Sequence, residues 1–558
     1  MEYVIFLVSF AAFWVFIYVQ GKIMEKRQLF YDRKILKGLK GQMPRKEYKI
    51  ERFMRIPGYF EKHKADFYID DITWNDLNMD EVFVRMNYSM SSTGEEYLYC
   101  MLRTPRFDKQ ALEHLHKLAS FYEKHDEQRI NYQRLMKKLG NTDKYSLYDY
   151  LEYLYKLEKR SNTKDILALV AFACIMVVMY FSLGIGVAGL LVWIFYQVYS
   201  YFMIKRENEP YLTSLGYLMR LIDVSQEALQ ILPSVCAEEK KEIEKYTSVL
   251  KKSKKGASWV FGSLYKTGSP QDTIMDYVRM FFHFDLIYFN RMVKELTNHN
   301  QELDSLIGLL GYIESSISVA LYRASLINGW CEPELGTEEL SVKEGYHPLI
   351  VEPVVNSITT SKSVLITGSN ASGKSTFLRM MAVNALMAQT VYTVTAKEYR
   401  SPYYYLYTSM SLRDDIENGD SYYMVEIKSI KRILDSKQKH DGKILCMIDE
   451  VLRGTNTVER IAASTQILFS MSDEKIKCFA ATHDIELTQL LEERYENYHF
   501  EEEIKDKDVV FNYRLYPGKA TSRNAIKLLE VMGYDEEIIE NAMNLANRFL
   551  TDGIWKHP

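Results

Sequence analysis

Apolar positions along the chain fall into two kinds of pattern, long uncharged runs and spaced repeats. Residues 166–204 are almost wholly apolar, with no charged residue between Asp165 and Lys205 and with glycines at 184, 186 and 189. That length is about twice the ~20 residues that cross a bilayer core. It predicts two transmembrane helices, about 166–183 and 187–204, joined by a tight glycine-containing turn. Residues 4–19 (VIFLVSFAAFWVFIYV) form another uncharged run. The start Met-Glu-Tyr has no basic region, and no small-residue cleavage site follows, so a membrane anchor over 1–21 is expected rather than a signal peptide.

Elsewhere the apolar residues recur at three-to-four spacing. Residues 111–122 and 145–157 show it, and helices are expected through 65–165 and again through 205–335. Residues 22–64 are mixed and basic and are expected to form a juxtamembrane linker. Residues 238–255 are highly charged and include Lys251, Lys252, Lys254 and Lys255. Such a run is ordinarily a solvated face, with anionic lipid or nucleic acid as the alternative partner. From Gly345 the pattern changes. Short β-branched runs at 363–367, 444–448 and 478–481 alternate with helical stretches and predict an α/β domain over 340–550.

Charge places these segments. Lys22, Lys26 and Arg27 follow the first run; Lys156, Lys159, Arg160 and Lys164 precede the second; Lys205 and Arg206 follow it. The positive-inside rule puts all these ends in the cytoplasm, giving a multi-pass protein of the cell membrane with three spans and its polar domains cytoplasmic. The 558 residues are 26% charged with a net charge of −4, which does not suggest a strongly basic nucleic-acid binder. The six cysteines are scattered without a CxxC pair, so neither a disulfide framework nor a cysteine metal site is expected.

The chemistry is concentrated near the C-terminus. Residues 363–376 read SVLITGSNASGKST, and Gly368, Gly373, Lys374 and Ser375 satisfy G-x-x-x-x-G-K-[ST] between an apolar strand and a helix at 376–388. Backbone amides of such a loop and the helix N-terminus cradle phosphate. Gly368, Asn370, Gly373, Lys374, Ser375 and Thr376 are the expected nucleotide-binding residues. Lys374 would meet the β- and γ-phosphates, and Ser375 would ligate Mg²⁺. ILCMIDE (444–450) is an apolar strand delivering two carboxylates: Asp449 for Mg²⁺ and Glu450 as general base. CFAATH (478–483) ends another strand in His483, placed to meet the γ-phosphate or the attacking water.

The order of these motifs resembles the MutS family. GSNASGKST is similar to its GPNMGGKST loop, DEVLRGTNT (449–457) to DExGRGTST, and ATHDIELTQL (481–490) to ATH-x-x-EL. GDSYYMVEI (419–427) resembles its signature segment, and PGKATSRNAIKLLEVMGY (517–534) its C-terminal helix region. The resemblance extends upstream more weakly, through DDITWNDLNM (70–79), STGEEYLYCMLRTP (92–105), WCEPEL (330–335) and GYHPLI (345–350). It implies a multidomain fold: an α-helical core and lever region, here carrying transmembrane helices, followed by an ABC-type α/β ATPase domain. It also implies Mg-dependent hydrolysis of ATP in a homodimer, with Ser421 acting in trans on the nucleotide held by the other subunit.

The departures from the family are equally specific. No counterpart of the mismatch-reading Phe-x-Glu motif or of the connector precedes the helical core, and no DNA clamp is recognisable. Asn456 stands where the family has Ser. Val354 or Val355 stands where the family offers an aromatic to the adenine base. The expected function is therefore a membrane-associated ATPase whose nucleotide-driven closure moves a helical lever, with an unidentified protein partner. The alternative is a DNA-binding ATPase of mismatch-repair or recombination type working at the membrane. A transporter would carry an LSGGQ-type signature, which the sequence lacks.

Overall fold

In the computed structural model, the described residues are all but 1, 45, 47, 143–144, 157–160, 262–269, 370–371, 411–421, 454, 506–507, 520–525, 527–528, 530–531 and 553–558. The chain forms two compact units. One comprises residues 1–63, 86–100 and 117–325, the other 64–85, 101–116 and 326–558. The stretch 70–79 and the end of 92–105, which the sequence groups with a helical core, thus cluster with the α/β unit.

The first unit is helical. Its opening helix, Glu2–Gly38, runs without a break beyond the apolar segment. The long apolar run forms a hairpin of helices Thr163–Phe181 and Leu183–Ile231. The turn falls at Ser182, which takes an extended conformation, rather than at the glycines. Gly186 serves a different purpose: a Cβ there would lie 2.3 Å from the Met179 Cα, so the glycine allows the two helices to approach closely. Across the hairpin the Trp193 indole donates to the Ala168 carbonyl at 2.8 Å. The second hairpin helix continues well past residue 204 and stops only at Leu232, before Pro233, whose ring cannot extend it.

Among the described residues, three helical segments are long and apolar enough to cross a membrane: Thr163–Phe181, Leu183–Arg206 and Asn300–Ser325. Their burial separates them. The hairpin segments are 11% and 22% buried within the protein, whereas Asn300–Ser325 is 83% buried. The last is a core helix covered by its own unit; the hairpin presents apolar side chains outward, among them Val177, Phe181, Val192 and Phe195.

The N-terminal strap of this unit is fixed by a buried polar network. The Arg52 guanidinium donates to Glu95 at 2.7 Å and to Glu96 at 3.3 Å. Lys46 donates to the Asn87 side chain and the Ser89 carbonyl. Burial pushes the Glu96 carboxyl up to about 8 against the pull of Arg52. Removing one partner of such a network leaves charge buried without compensation. Arg52→Ala is therefore expected to destabilise the protein by about 3–5 kcal/mol in denaturant unfolding; an unchanged midpoint would refute this role.

The second unit holds two sheets. One has strands β1 (Glu334–Leu335), β2 (Leu340–Gly345), β3 (Asn356–Thr360) and β5 (Glu398–Ser401) in the order β1-β5-β2-β3. The other has β4 (Ser363–Thr367), β6 (Tyr404–Ser409), β7 (Lys443–Asp449), β8 (Ile476–Thr482), β9 (Tyr495–Lys505) and β10 (Asp508–Pro517) in the order β10-β9-β4-β8-β7-β6. Every pairing from β9 to β6 is parallel, and β10 is antiparallel to β9. Continuous apolar runs such as Val364–Ile366 and Ile444–Ile448 are fully buried, as parallel strands covered on both faces require. The segment 64–85 is tied to this sheet through Asp76. Its carboxylate accepts from the Thr408 hydroxyl at 2.6 Å and the Met410 amide at 2.9 Å.

Candidate functional site

The sheet order brings three strand ends together. β8 lies between β4 and β7, and all three run in the same direction. The C-terminal ends of β4, β7 and β8 carry the phosphate-loop sequence, Asp449-Glu450 and His483 respectively, at the edge where open α/β sheets bind ligands. Gly368 (φ +146°) and Gly373 (φ +109°) hold the backbone in conformations that L side chains rarely adopt. Gly373 caps the helix Lys374–Thr390, so the helix starts two residues before the predicted Thr376. Lys374 and Ser375 therefore sit in the first turn, where backbone N–H groups point outward.

Within this cluster the Lys374 ammonium donates to the Gly368 carbonyl at 2.8 Å and the Ser369 carbonyl at 2.6 Å. Burial lowers its pKa to about 8, opposed by the charges of Asp449, Glu450 and Glu502. The Ser375 hydroxyl donates to Asp449 Oδ2 at 2.5 Å. His483 Nε2 lies 3.0 Å from Glu450 Oε1 and 3.4 Å from Lys374 Nζ. Thr376 lines the neighbouring cavity. Burial raises the Glu450 pKa, but the His483 hydrogen bond and the charges of Arg453 and Lys374 outweigh it and hold the carboxyl below its usual range. Asn370 and Ser421 lie outside the described residues.

Four contributions were not read from the sequence. Arg453 Nε lies 2.6 Å from Glu450 Oε2, so both oxygens of that carboxylate are engaged. Glu450 (φ +66°) and Leu452 (φ +60°) are both left-handed, which is costly for non-glycine residues. Glu426 holds this turn. It lies in the helix Tyr422–Lys439, and its buried carboxylate accepts from the Leu452 amide at 2.7 Å and the Arg453 amide at 3.2 Å. Its presence in GDSYYMVEI was the one available signal. Asn456, in place of the family's Ser, still caps the helix Thr457–Ser470 by accepting from the Val458 amide at 3.0 Å.

The fourth is Tyr513. It takes φ +54° where the β9–β10 register shifts between Phe511 and Leu515. The Asn356 side chain clamps this irregularity, donating to the Tyr513 carbonyl at 3.0 Å and accepting from the Leu515 amide at 2.8 Å. The Tyr513 ring approaches Gly373 so closely that a Cβ there would lie 3.2 Å from it. With Tyr346, His347, Val354, Phe377 and Phe500 it lines a cavity of about 340 Å³ beside the loop. Burial, then the charges of Arg379 and Arg85, lower the His347 pKa to about 4, so its imidazole is neutral at pH 7.

Among the described residues no group of three His, Cys, Asp or Glu side chains could hold a metal ion by itself. A hydroxyl and one carboxylate at hydrogen-bond distance suit a hard cation that shares its ligands with phosphate and water, the usual manner of Mg²⁺. Fold and site together define an α/β domain with a phosphate-loop sequence at the edge of its sheet.

Comparison with known proteins narrows that class. Residues 364–550, 187 of the 558, match the family model described as MutS domain V. The DNA mismatch repair protein MutS of Thermus thermophilus is 31% identical over 239 residues, 42% of this chain and 29% of that protein. The MutS of Aquifex pyrophilus is 34% identical over 269 residues, 46% of this chain and 30% of its own. MutS protein homolog 4 of Mus musculus is 31% identical over 290 residues, covering 49% and 30%. The matched residues lie in the C-terminal α/β region, and the chain spans about a third of the length of these relatives.

The support of the strained turn is directly testable. Glu426→Ala leaves two backbone amides of the turn without their acceptor and is expected to cost about 1–3 kcal/mol in urea unfolding. Glu426→Gln, which keeps one acceptor oxygen, should lose less. Equal stability of all three proteins would show that the carboxylate does not hold the turn.

Proposed function

We propose that the chain is a Mg-dependent ATPase of MutS type, tethered to the cell membrane, whose nucleotide cycle drives closure of a homodimer. One observation carries the reading: Ser375 hydrogen-bonds Asp449, with Lys374, Glu450 and His483 gathered around that pair. In the reaction, water attacks the γ-phosphorus of ATP, the bond to the β–γ bridging oxygen breaks, and ADP and phosphate result. Glu450 accepts the proton of the attacking water, with its depressed pKa keeping it ionised for that task. The ion pair with Arg453 must open for the carboxylate to reach the water. Lys374 and the loop amides bind the phosphates, and His483 bears on the γ-phosphate or the water. Magnesium, when bound by Ser375 and Asp449, would neutralise charge on the phosphates.

The cavity beside the loop accepts the base in this reading, and Tyr513 supplies the stacking aromatic that Val354 does not. Ser421, assigned through the family resemblance, acts from the facing subunit. The hairpin at 166–204 and the apolar segment at 4–19 tether the helical unit, with the ATPase domain in the cytoplasm. The chain passes between the two units at 63/64, 85/86, 100/101, 116/117 and 325/326. The net charge of −4 supports a lever acting on a protein or membrane partner over one acting on DNA.

The test is ATP turnover by the full chain. Glu450→Gln should lower kcat by about 10²–10⁴-fold, the span of a lost general base, while ATP binding persists. Ser421→Ala should also lower kcat, and its defect should be relieved in mixed dimers with Glu450→Gln subunits, which restore one intact composite site. Full turnover by Glu450→Gln, or by a strictly monomeric protein, would overturn the proposal.

A further inference from the structure

The helix Pro270–Phe282 has its polarity reversed. A helix on the surface of a water-soluble protein buries its apolar stripe and exposes its charges. Here Ile274, Met275 and Tyr277 are 63%, 41% and 55% exposed, while Arg279 is 5% exposed and pairs with the partly exposed Asp276 at 2.9 Å. Inward-facing, paired charge beneath an outward apolar face is the arrangement that hydrocarbon surroundings favour.

Its neighbours give the same indication. The Gln197 amide donates to the Phe281 carbonyl at 2.7 Å, and Phe282 lies 5.2 Å from Phe172 and 5.8 Å from Trp193, ring centre to ring centre. All three partners belong to the apolar hairpin. Gln197 lies eight residues before Lys205, level with Asp165 at the start of the other hairpin helix. At the end of the helix, His283 turns the chain through a left-handed conformation (φ +53°). Its ring nitrogens lie 2.8 Å from Asp165 Oδ1 and 3.1 Å from the Gln197 carbonyl, fastening it to both hairpin helices. Phe195, Tyr199 and Phe202 on the adjoining hairpin helix are exposed apolar side chains as well.

We infer that Pro270–Phe282 is itself a membrane-embedded helix, packed against the hairpin within the cytoplasmic leaflet, with the lipid bilayer covering Ile274, Met275 and Tyr277. Thirteen residues span about 20 Å, too short for a hydrocarbon core of about 30 Å, so the helix enters the bilayer without crossing it. This inference rests on the membrane reading of the hairpin given above. It adds a third helix to the hairpin in the membrane, and that helix leads directly into the helix Phe284–Asn298 of the helical unit.

The experiment uses the full chain with Cys174→Ser, reconstituted in phosphatidylcholine–phosphatidylglycerol vesicles. Single nitroxide labels are placed at Ile274→Cys, Tyr277→Cys, Phe195→Cys and Glu242→Cys, and collision rates are measured with oxygen and with a water-soluble nickel chelate. Labels at 274 and 277 are expected to match the hairpin label at 195, with oxygen-to-nickel ratios severalfold above the exposed label at 242. A lipid-like 195 with nickel-accessible 274 and 277 would overturn the inference while leaving the hairpin in the membrane. Inaccessibility of 274 and 277 to both reagents would also overturn it, by showing a protein surface over that face. A nickel-accessible 195 would remove the membrane reading and this inference with it.

Discussion

Parallel adjacency of β4, β8 and β7 is the constraint on which the site depends. The phosphate loop and the Asp449-Glu450 pair are separated by about seventy residues, and only this strand order puts Ser375 within 2.5 Å of Asp449. The central strand contributes more than spacing. Its Ala481 carbonyl accepts from the Glu450 amide at 2.9 Å, fixing the first residue beyond β7. Side chains at three strand ends thus share one edge because their backbones share one hydrogen-bond ladder.

That edge carries strain, and the surrounding structure supports it. Glu450, Leu452 and Tyr513 all occupy the left-handed region, and each lies in or beside the site. Glu426 secures the turn at 450–453, and Asn356 secures the irregular stretch of β10. Both carboxylate oxygens of Glu450 are engaged, one by His483 and the other by Arg453.

How much of this was legible in the sequence depended on how local the signal was. The phosphate loop, the Asp-Glu strand and the strand ending in His483 are short motifs whose chemistry is set by neighbours in sequence, and they lie where the spacing placed them. The hairpin was readable from its uncharged length, but its turn was not. Glycines 184 and 186 suggested a bend, whereas Gly186 serves a close helix approach and the turn falls at Ser182. The stop at Leu232 was set by Pro233, well beyond the apolar run. Tyr513, Asn356 and Glu426 gave no isolated signal, because their roles arise from a strand irregularity and from contacts between distant segments. The helix at 270–282 showed only as part of the helical stretch 205–335, since the direction of its apolar side chains has meaning only once its inward face is known.

The central claim is that phosphate loop and carboxylate converge on one magnesium-bound triphosphate. Its most direct test is calorimetric titration of ATP into the full chain and into Ser375→Ala, each with and without magnesium. The native protein should bind ATP more tightly with the metal, and Ser375→Ala should lose that gain while keeping its magnesium-free affinity. An identical magnesium dependence in the two proteins, or no ATP binding by the native chain, would contradict the account.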